Sequence, residues 1–257
     1  MRTKLGMTQE ELAEAAGFAP STIAAIETCR LLPSEELAQH IDKSLQSDGH
    51  FVRLQELVER TSVLPWFRDL VKTEQEAASI QTYESYVVPG LLQTEDYARN
   101  AVSATRPRLP DDDVQRAVTL RMTRRGLLDQ DDPPRLWAII DESVLRRQAG
   151  GKKVMKAQCD HLLKMGQLPH IAIQVFPNSK GPACAYGNNF VILNFNSTSK
   201  RRRAPMAYLE DLRTARYIRE QDEVSVYATV FDYLRSSALD DLQSADLIRG
   251  YRDERYV

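Results

Sequence analysis

Met7–Glu27 reads MTQEELAEAAGFAPSTIAAIE, and its punctuation decides the fold of the amino-terminal region. Thr8 followed three residues later by Glu11 is a capping box, in which the hydroxyl satisfies an early helix amide and the carboxylate reaches back to the cap. The spacing predicts a helix over Gln9–Ala16 with Leu12, Ala13 and Ala16 on one face, stopped at Gly17. Pro20 suits the first turn of a second helix, where its missing N–H costs nothing. That helix, Ser21–Glu27, buries Ile23 and Ile26. Pro33 and Ser34 open a third helix, in which Leu37, Ile41 and Leu45 recur at helical intervals.

Two short helices about a tight glycine turn form a helix-turn-helix arrangement, the first crossing the DNA backbone and the second entering the major groove. An ordinary helical hairpin has the same periodicity, so the residues themselves must discriminate. Thr8-Gln9, Leu12-Ala13, Gly17 and Ser21-Thr22-Ile23 through Ile26-Glu27 closely resemble the XRE family of bacterial regulators. That resemblance implies a phosphate contact from Gln9 at a helix N-terminus, beside Thr8. It implies groove-facing roles for Ser21 and Thr22, and a phosphate contact from Arg30 in the following loop. Positions that often read bases in the family are Pro20, Ala24 and Ala25 here, so direct readout rests largely on Ser21 and Thr22. The usual loop glycine is Cys29. The family fold also has a full helix before Thr8, whereas Met1–Gly6 spans about one helical turn at ~1.5 Å per residue. The first helix is therefore read as truncated, through either a start placed downstream of the true one or the loss of a competent domain.

Beyond this module the pattern changes. The expected organisation is a helix-turn-helix domain over 1–47, a linker helix over 48–65 and a larger α+β domain over 66–257. Gly49–Thr61 carries Phe51, Leu54, Leu57 and Val58 on one helix face, and Leu64-Pro65 breaks it. Ser79–Val88 reads as a strand bounded by Pro89-Gly90. Thr94 caps a helix with Glu95 and Asp96 in its first turn. Asp111–Asp129 is predicted to be one long arginine-rich helix, Leu136–Ile140 (LWAII) a buried strand and Lys152–Met165 a helix. Ile171–Phe176 and Phe190–Phe195 are two apolar strands joined by a loop. Ala207-Tyr208-Leu209 and Ser225–Thr229 are strand or helix starts, and Ala228–Leu239 is a final helix. The segments TYESYVVPGLLQTEDYAR (Thr82–Arg99), DDPPRLWAIIDESVLRR (Asp131–Arg147) and AYLEDL (Ala207–Leu212) are similar to those of a bacterial group. In that group an XRE-type helix-turn-helix is fused to a long C-terminal domain of unassigned chemistry, and its members are antitoxin-like regulators, frequently encoded beside a small partner protein.

Composition narrows the chemistry. The 257 residues are 42% hydrophobic and 27% charged, with a formal net charge of −2, ordinary for a globular protein of one to two domains. Residues 1–47 carry four basic against seven acidic residues, net −3, so no strong positive field marks an indiscriminate nucleic-acid binder. No uncharged run approaches the ~18 residues of a membrane span, and no secretory signal opens the chain, so the expectation is cytoplasmic. Cys29, Cys159 and Cys184 form no pair at metal or disulfide spacing; neither a metal nor a cofactor is expected. Phosphate loops, nucleophile elbows and zinc motifs are missing, and the expectation is that the chain is not an enzyme. His161, on a helix face, reads as a satisfied packing residue. Asp141-Glu142 and Glu210 follow strands, where α/β enzymes place acids and bases; with no nucleophile nearby they cap helices or contact a ligand or basic partner. Lys200-Arg201-Arg202-Arg203 is either a solvated hairpin loop or an auxiliary phosphate contact. The expected partners are double-stranded DNA, a second copy of the chain and the small co-encoded protein. The expected function is that of a homodimeric DNA-binding regulator, or alternatively of a module that neutralises that small protein.

Overall fold

The computed structural model describes residues 2–27, 33–55, 65–105, 110–181, 189–196, 203–211 and 214–256. By compactness the chain divides into two units, Met1–Pro65 with Arg108–Thr123, and Trp66–Pro107 with Arg124–Val257. The second unit is thus interrupted at 108–123.

In the first unit, Arg2–Leu5 forms a single 3-10 turn. It precedes α1 (Gln9–Ala16), α2 (Pro20–Glu27) and α3 (Glu35–Leu45). Both halves of the Thr8 capping box are present, the Glu11 amide donating to Thr8 Oγ1 at 3.1 Å and the Thr8 amide to the Glu11 carboxylate at 2.7 Å. Gly17 ends α1 in the left-handed conformation at φ 77°, where a Cβ would be strained. Ser34 caps α3 through the Leu37 amide at 3.1 Å. The three helices close over Leu12, Ala13, Ala16, Ile23, Leu37, Ile41 and Leu45, with Met7, Phe18, Ile26 and Phe51 against them. Residues 50–55 are helical, and Asp42 holds their start by accepting from the Phe51 and Val52 amides at 2.9 and 2.8 Å. The rest of the expected linker helix, 56–61, lies outside the described residues.

The second unit is built on a six-stranded sheet in the order β3-β2-β1-β4-β5-β6. Its strands are β1 (Ser79–Glu84), β2 (Arg135–Asp141), β3 (Ile171–Phe176), β4 (Phe190–Asn194), β5 (Met206–Glu210) and β6 (Ala215–Ile218). β1, β2 and β3 run parallel, and β4, β5 and β6 pair antiparallel in succession from β1. Its helices are α4 (Pro65–Gln75), α5 (Glu95–Thr105), α7 (Glu142–Arg146), α8 (Gly151–Met165), α9 (Gln221–Ser237) and α10 (Asp241–Gly250), while α6 (Asp111–Arg125) belongs to the first unit as far as Thr123. Period-two alternation divides the apolar side chains between two faces. Ile80, Leu136, Ala138, Ile140 and Val175 join one cluster with Met155, Cys159 and Leu162 of α8. Tyr83, Ile139, Phe176, Phe190 and Ile192 join the other with Phe231 and Leu234 of α9.

The α+β class stands, with several local corrections. β1 stops at Glu84, short of Val88, because the chain turns into a 3-10 segment at Gly90–Leu92. α6 gives way at Gly126 to a 3-10 turn, Gly126–Asp129. β3 and β4 follow one another in sequence but are not neighbours, since β2 and β1 lie between them. Ser225–Thr229 lies inside α9, which starts at Gln221 rather than Ala228; Val224, Phe231 and Leu234 set its buried face. α4, β6 and α10 were not anticipated. β6 is four residues long, too short for a clear alternation signal.

Candidate DNA-binding surface

α1, the Gly17 turn and α2 make the helix-turn-helix. Thr8 is exposed at the cap and Gln9 is half-buried as the first residue of α1; Ser21 is exposed and Thr22 half-buried in the first turn of α2. Neither acidic residues in the first turn of α2 nor basic ones in its last turn accompany them. Arg30, like Cys29, lies outside the described residues. Ala24 and Ala25 follow on α2 with methyl groups only, as their identity requires.

One group that sequence reasoning missed organises this surface. The Glu27 carboxylate, in the last turn of α2, accepts from Arg2 Nε at 2.6 Å and Nη2 at 2.8 Å, and from the Gln9 amide at 2.6 Å. Arg2 also donates to the Met7 carbonyl at 2.6 Å. The Arg2 and Gln9 hydrogen bonds hold the Glu27 carboxyl down at about 2, against its partial burial. Arg2 is raised in turn, its bond to Glu27 outweighing desolvation. Side chains from the 3-10 turn, α1 and α2 are thereby fixed to one carboxylate. A residue separation of 25 leaves no periodic signature; the only hint was that Glu27 ends the quoted string. Behind this clamp is a cavity of about 240 Å³, lined by Leu12, Ile23, Ile26, Ala38, Ile41 and Phe51 among others, with Arg2 and Glu27 at its edge.

The remaining candidates do not converge. Asp141 accepts from the Ser143 amide at 2.9 Å and caps α7. Glu142 accepts from the Asn178 amide at 2.8 Å and the Tyr251 hydroxyl at 2.7 Å, which, after burial, helps raise that phenol. Glu210 accepts from the Tyr208 hydroxyl at 3.1 Å. It ends β5, which β1 and β4 separate from β2, about 14 Å at ~4.8 Å per strand. Arg203 pairs with Glu76 and stacks 4.5 Å over Phe195; Lys200, Arg201 and Arg202 lie outside the described residues. Burial pushes the Cys159 thiol up to about 12, and its side chain is packing. The His161 imidazole is pushed below its usual value by burial and then by Arg125 and Lys164; its Nε2 is buried without a hydrogen-bond partner, so it is not the satisfied residue expected. Among the described residues, no cluster of His, Cys, Asp and Glu could hold a metal ion, and no helix is long and apolar enough to cross a membrane.

A helix-turn-helix family model matches residues 1–48, so the α1-turn-α2 geometry is that of an XRE-type DNA-binding module. No curated protein and no solved structure matches the chain. A second family model, described as a domain of unknown function (DUF5753), matches residues 67–250, well over half of the 257 residues, and the chain belongs to that family.

Proposed function

We propose that the protein is a sequence-specific transcriptional regulator that binds duplex DNA as a homodimer in the cytoplasm and has no catalytic activity of its own. Its C-terminal domain pairs subunits or receives a signal. The observation that carries this reading is the clamp at Glu27, which fixes Gln9 at the start of α1 relative to α2, whose first turn presents Ser21 and Thr22. A phosphate would meet an ordered amide at a helix N-terminus, and the two hydroxyls would meet base edges. One module of this size binds weakly; two half-sites a helical turn apart supply affinity and register. Titration of the chain against its own promoter region in a gel shift should give a discrete complex that specific competitor removes. The absence of any shift at low salt would overturn the reading.

A second reading has its own observation. α2 carries no basic side chain, and residues 1–47 are net negative, which suits binding of a small basic partner protein encoded nearby, with DNA contact secondary. Co-purification of the neighbouring gene product in a defined mass ratio supports it, and an unchanged mass in that product's presence opposes it.

A further inference from the structure

Leu12 of α1, Ile23 and Ile26 of α2, Ala38 and Ile41 of α3, and Phe51 surround the cavity of about 240 Å³ behind the Glu27 clamp with apolar carbon. Protein interiors hold few voids larger than a water molecule, and core volume that nothing fills is destabilising. The chemistry of the lining decides what could fill it. A buried water needs two to four polar partners. Among the described lining residues the polar side chains are Arg2 and Glu27, and their groups are already bonded to each other, to the Met7 carbonyl and to the Gln9 amide.

The lining therefore holds water poorly, and a charged guest worse. The two charges of the clamp cancel, so neither sign is attracted, and an ion would have to break the clamp to find a partner. Carbon is what the walls accept. Size narrows the choice further. An apolar cavity of roughly 150 Å³ takes up benzene, whereas drug-sized ligands occupy pockets of about 300 Å³ or more. A volume between these limits suits one or two rings, and Phe51 offers an aromatic neighbour for edge-to-face or offset contact.

From this we propose that the cavity is a binding site for a compact, uncharged aromatic molecule of one or two rings, and that its occupation is a signal that tightens DNA binding. The second half rests on the regulator reading above. A guest in this place touches α1, α2 and α3 together, so it favours the packed arrangement of the three helices over any opened one. In that arrangement the clamp holds Gln9 to Glu27 at the far end of α2, and the first turn of α2 presents Ser21 and Thr22. Guest and DNA thus select the same state, and each must strengthen the binding of the other. The signal is received inside the DNA-binding unit itself.

Benzene is the probe. In methyl spectra of the full chain it should shift the resonances of Leu12, Ile23, Ile26 and Ile41 and saturate at about 1 mM. Benzoate, the same ring with a charge, should leave them in place. Ala38→Leu, which puts an isobutyl group where a methyl group lines the cavity, should weaken benzene at least about tenfold. At saturation benzene should tighten the promoter complex of the wild type about fivefold or more in a gel shift. Shifts that do not saturate or are scattered over the chain, an equal response to benzoate, or undiminished binding by Ala38→Leu overturns the site. If Ala38→Leu does not fold, the location of the wild-type shifts and the benzoate control decide. Saturable shifts in a protein that binds no DNA keep the site and remove the regulator reading. A DNA complex in a protein that benzene does not shift does the reverse, and a complex whose affinity ignores saturating benzene removes the signalling role.

Discussion

The two units solve the same packing problem with different margins. The first closes three short helices over seven fully buried apolar residues and leaves a cavity of about 240 Å³ beside them. Its Glu27 clamp sits near the surface. The second stacks apolar layers on both faces of a sheet and can hold an ion pair within its interior. Small domains bury a smaller fraction of their surface, so the DNA-binding unit has less to lose before it opens. The contrast teaches that equivalent substitutions should have opposite signs or unequal sizes in the two places.

The largest effect is expected at the buried pair of the second unit. Arg124, at the end of α6, donates to Glu74 of α4 through Nε and through Nη2 at 2.6 Å, with side-chain exposures of 10% and 1%. Burial opposes the guanidinium charge, but Glu74 more than offsets it and raises Arg124. Glu74→Ala strands that charge and should cost about 3–5 kcal/mol, read as a lower denaturant midpoint. Adding Arg124→Met should recover much of the loss, because a buried pair replaced by apolar groups is often neutral. If the double variant is no better than the single, the pair is not an isolated two-body unit.

Next come two matched enlargements. Ala138 is 0% exposed in the middle of β2 and Ala38 is 0% exposed on α3, but only Ala38 lines the cavity. Ala138→Leu should destabilise by about 1–3 kcal/mol through overpacking. Ala38→Leu should gain about 1 kcal/mol by filling space, slowing hydrogen exchange at Leu12 and Ile23. A loss at both sites would mean that the cavity does not accept added methylenes, and the contrast would fail.

The Glu27 clamp gives a smaller, pH-dependent difference. Its carboxyl is depressed to about 2 in the folded chain, against ~4.3 unfolded. The stabilisation is therefore present above pH ~4.3 and is lost as pH falls towards 2. Glu27→Gln should lower stability by about 1 kcal/mol at neutral pH, allowing for solvent screening. The gap between wild type and variant should close below pH ~4. A gap independent of pH would show that the Gln9 and Arg2 contacts do not depend on the carboxylate charge. The same variant should weaken DNA binding at neutral pH, since an amide oxygen holds Gln9 less firmly than the carboxylate does.

What could be read in advance was local. Thr8, Glu11, Gly17 and Ser34 punctuate helices through bonds spanning three or four residues, and Pro20 through its fixed φ, so their boundaries follow from spacing alone. Thr94 and the LWAII strand are of the same kind. Arg2–Glu27 and Arg124–Glu74 are tertiary, and no periodicity connects residues 25 or 50 apart. The separation of β3 from β4 escaped for a related reason: strand patterns show which face is buried, not which strand is adjacent. Of the site, Thr8, Gln9, Ser21 and Thr22 were placed on the correct elements by sequence, but the carboxylate that orders Gln9 was not. Asp141 and Glu210 were visible as carboxylates at strand ends, yet their separation across the sheet depends on the strand order.

The finest test lies in the turn after α3, where the first unit holds two non-glycine residues at positive φ, Gln46 at 49° and Asp48 at 48°. Left-handed backbone costs an ordinary residue about 1 kcal/mol or more, and Asp somewhat less because its short side chain bonds locally. Asp48→Gly removes that strain but adds unfolded-chain entropy, so the net gain should be only about 0.3–0.5 kcal/mol. The Asp48 carbonyl still accepts from Arg53 at 2.7 Å, and Asp42 still caps residues 50–55, so no contact is lost with the side chain. Asp48→Ala avoids that entropy cost but relieves no strain and loses the tolerance of Asp for left-handed backbone, so it should be destabilising. The informative quantity is the difference between the two variants, measured as thermal midpoint and as exchange at Phe51 and Val52, whose amides Asp42 binds. Equal midpoints would mean that the turn stores no strain, and the cavity alone would then account for the thinner margin of this unit.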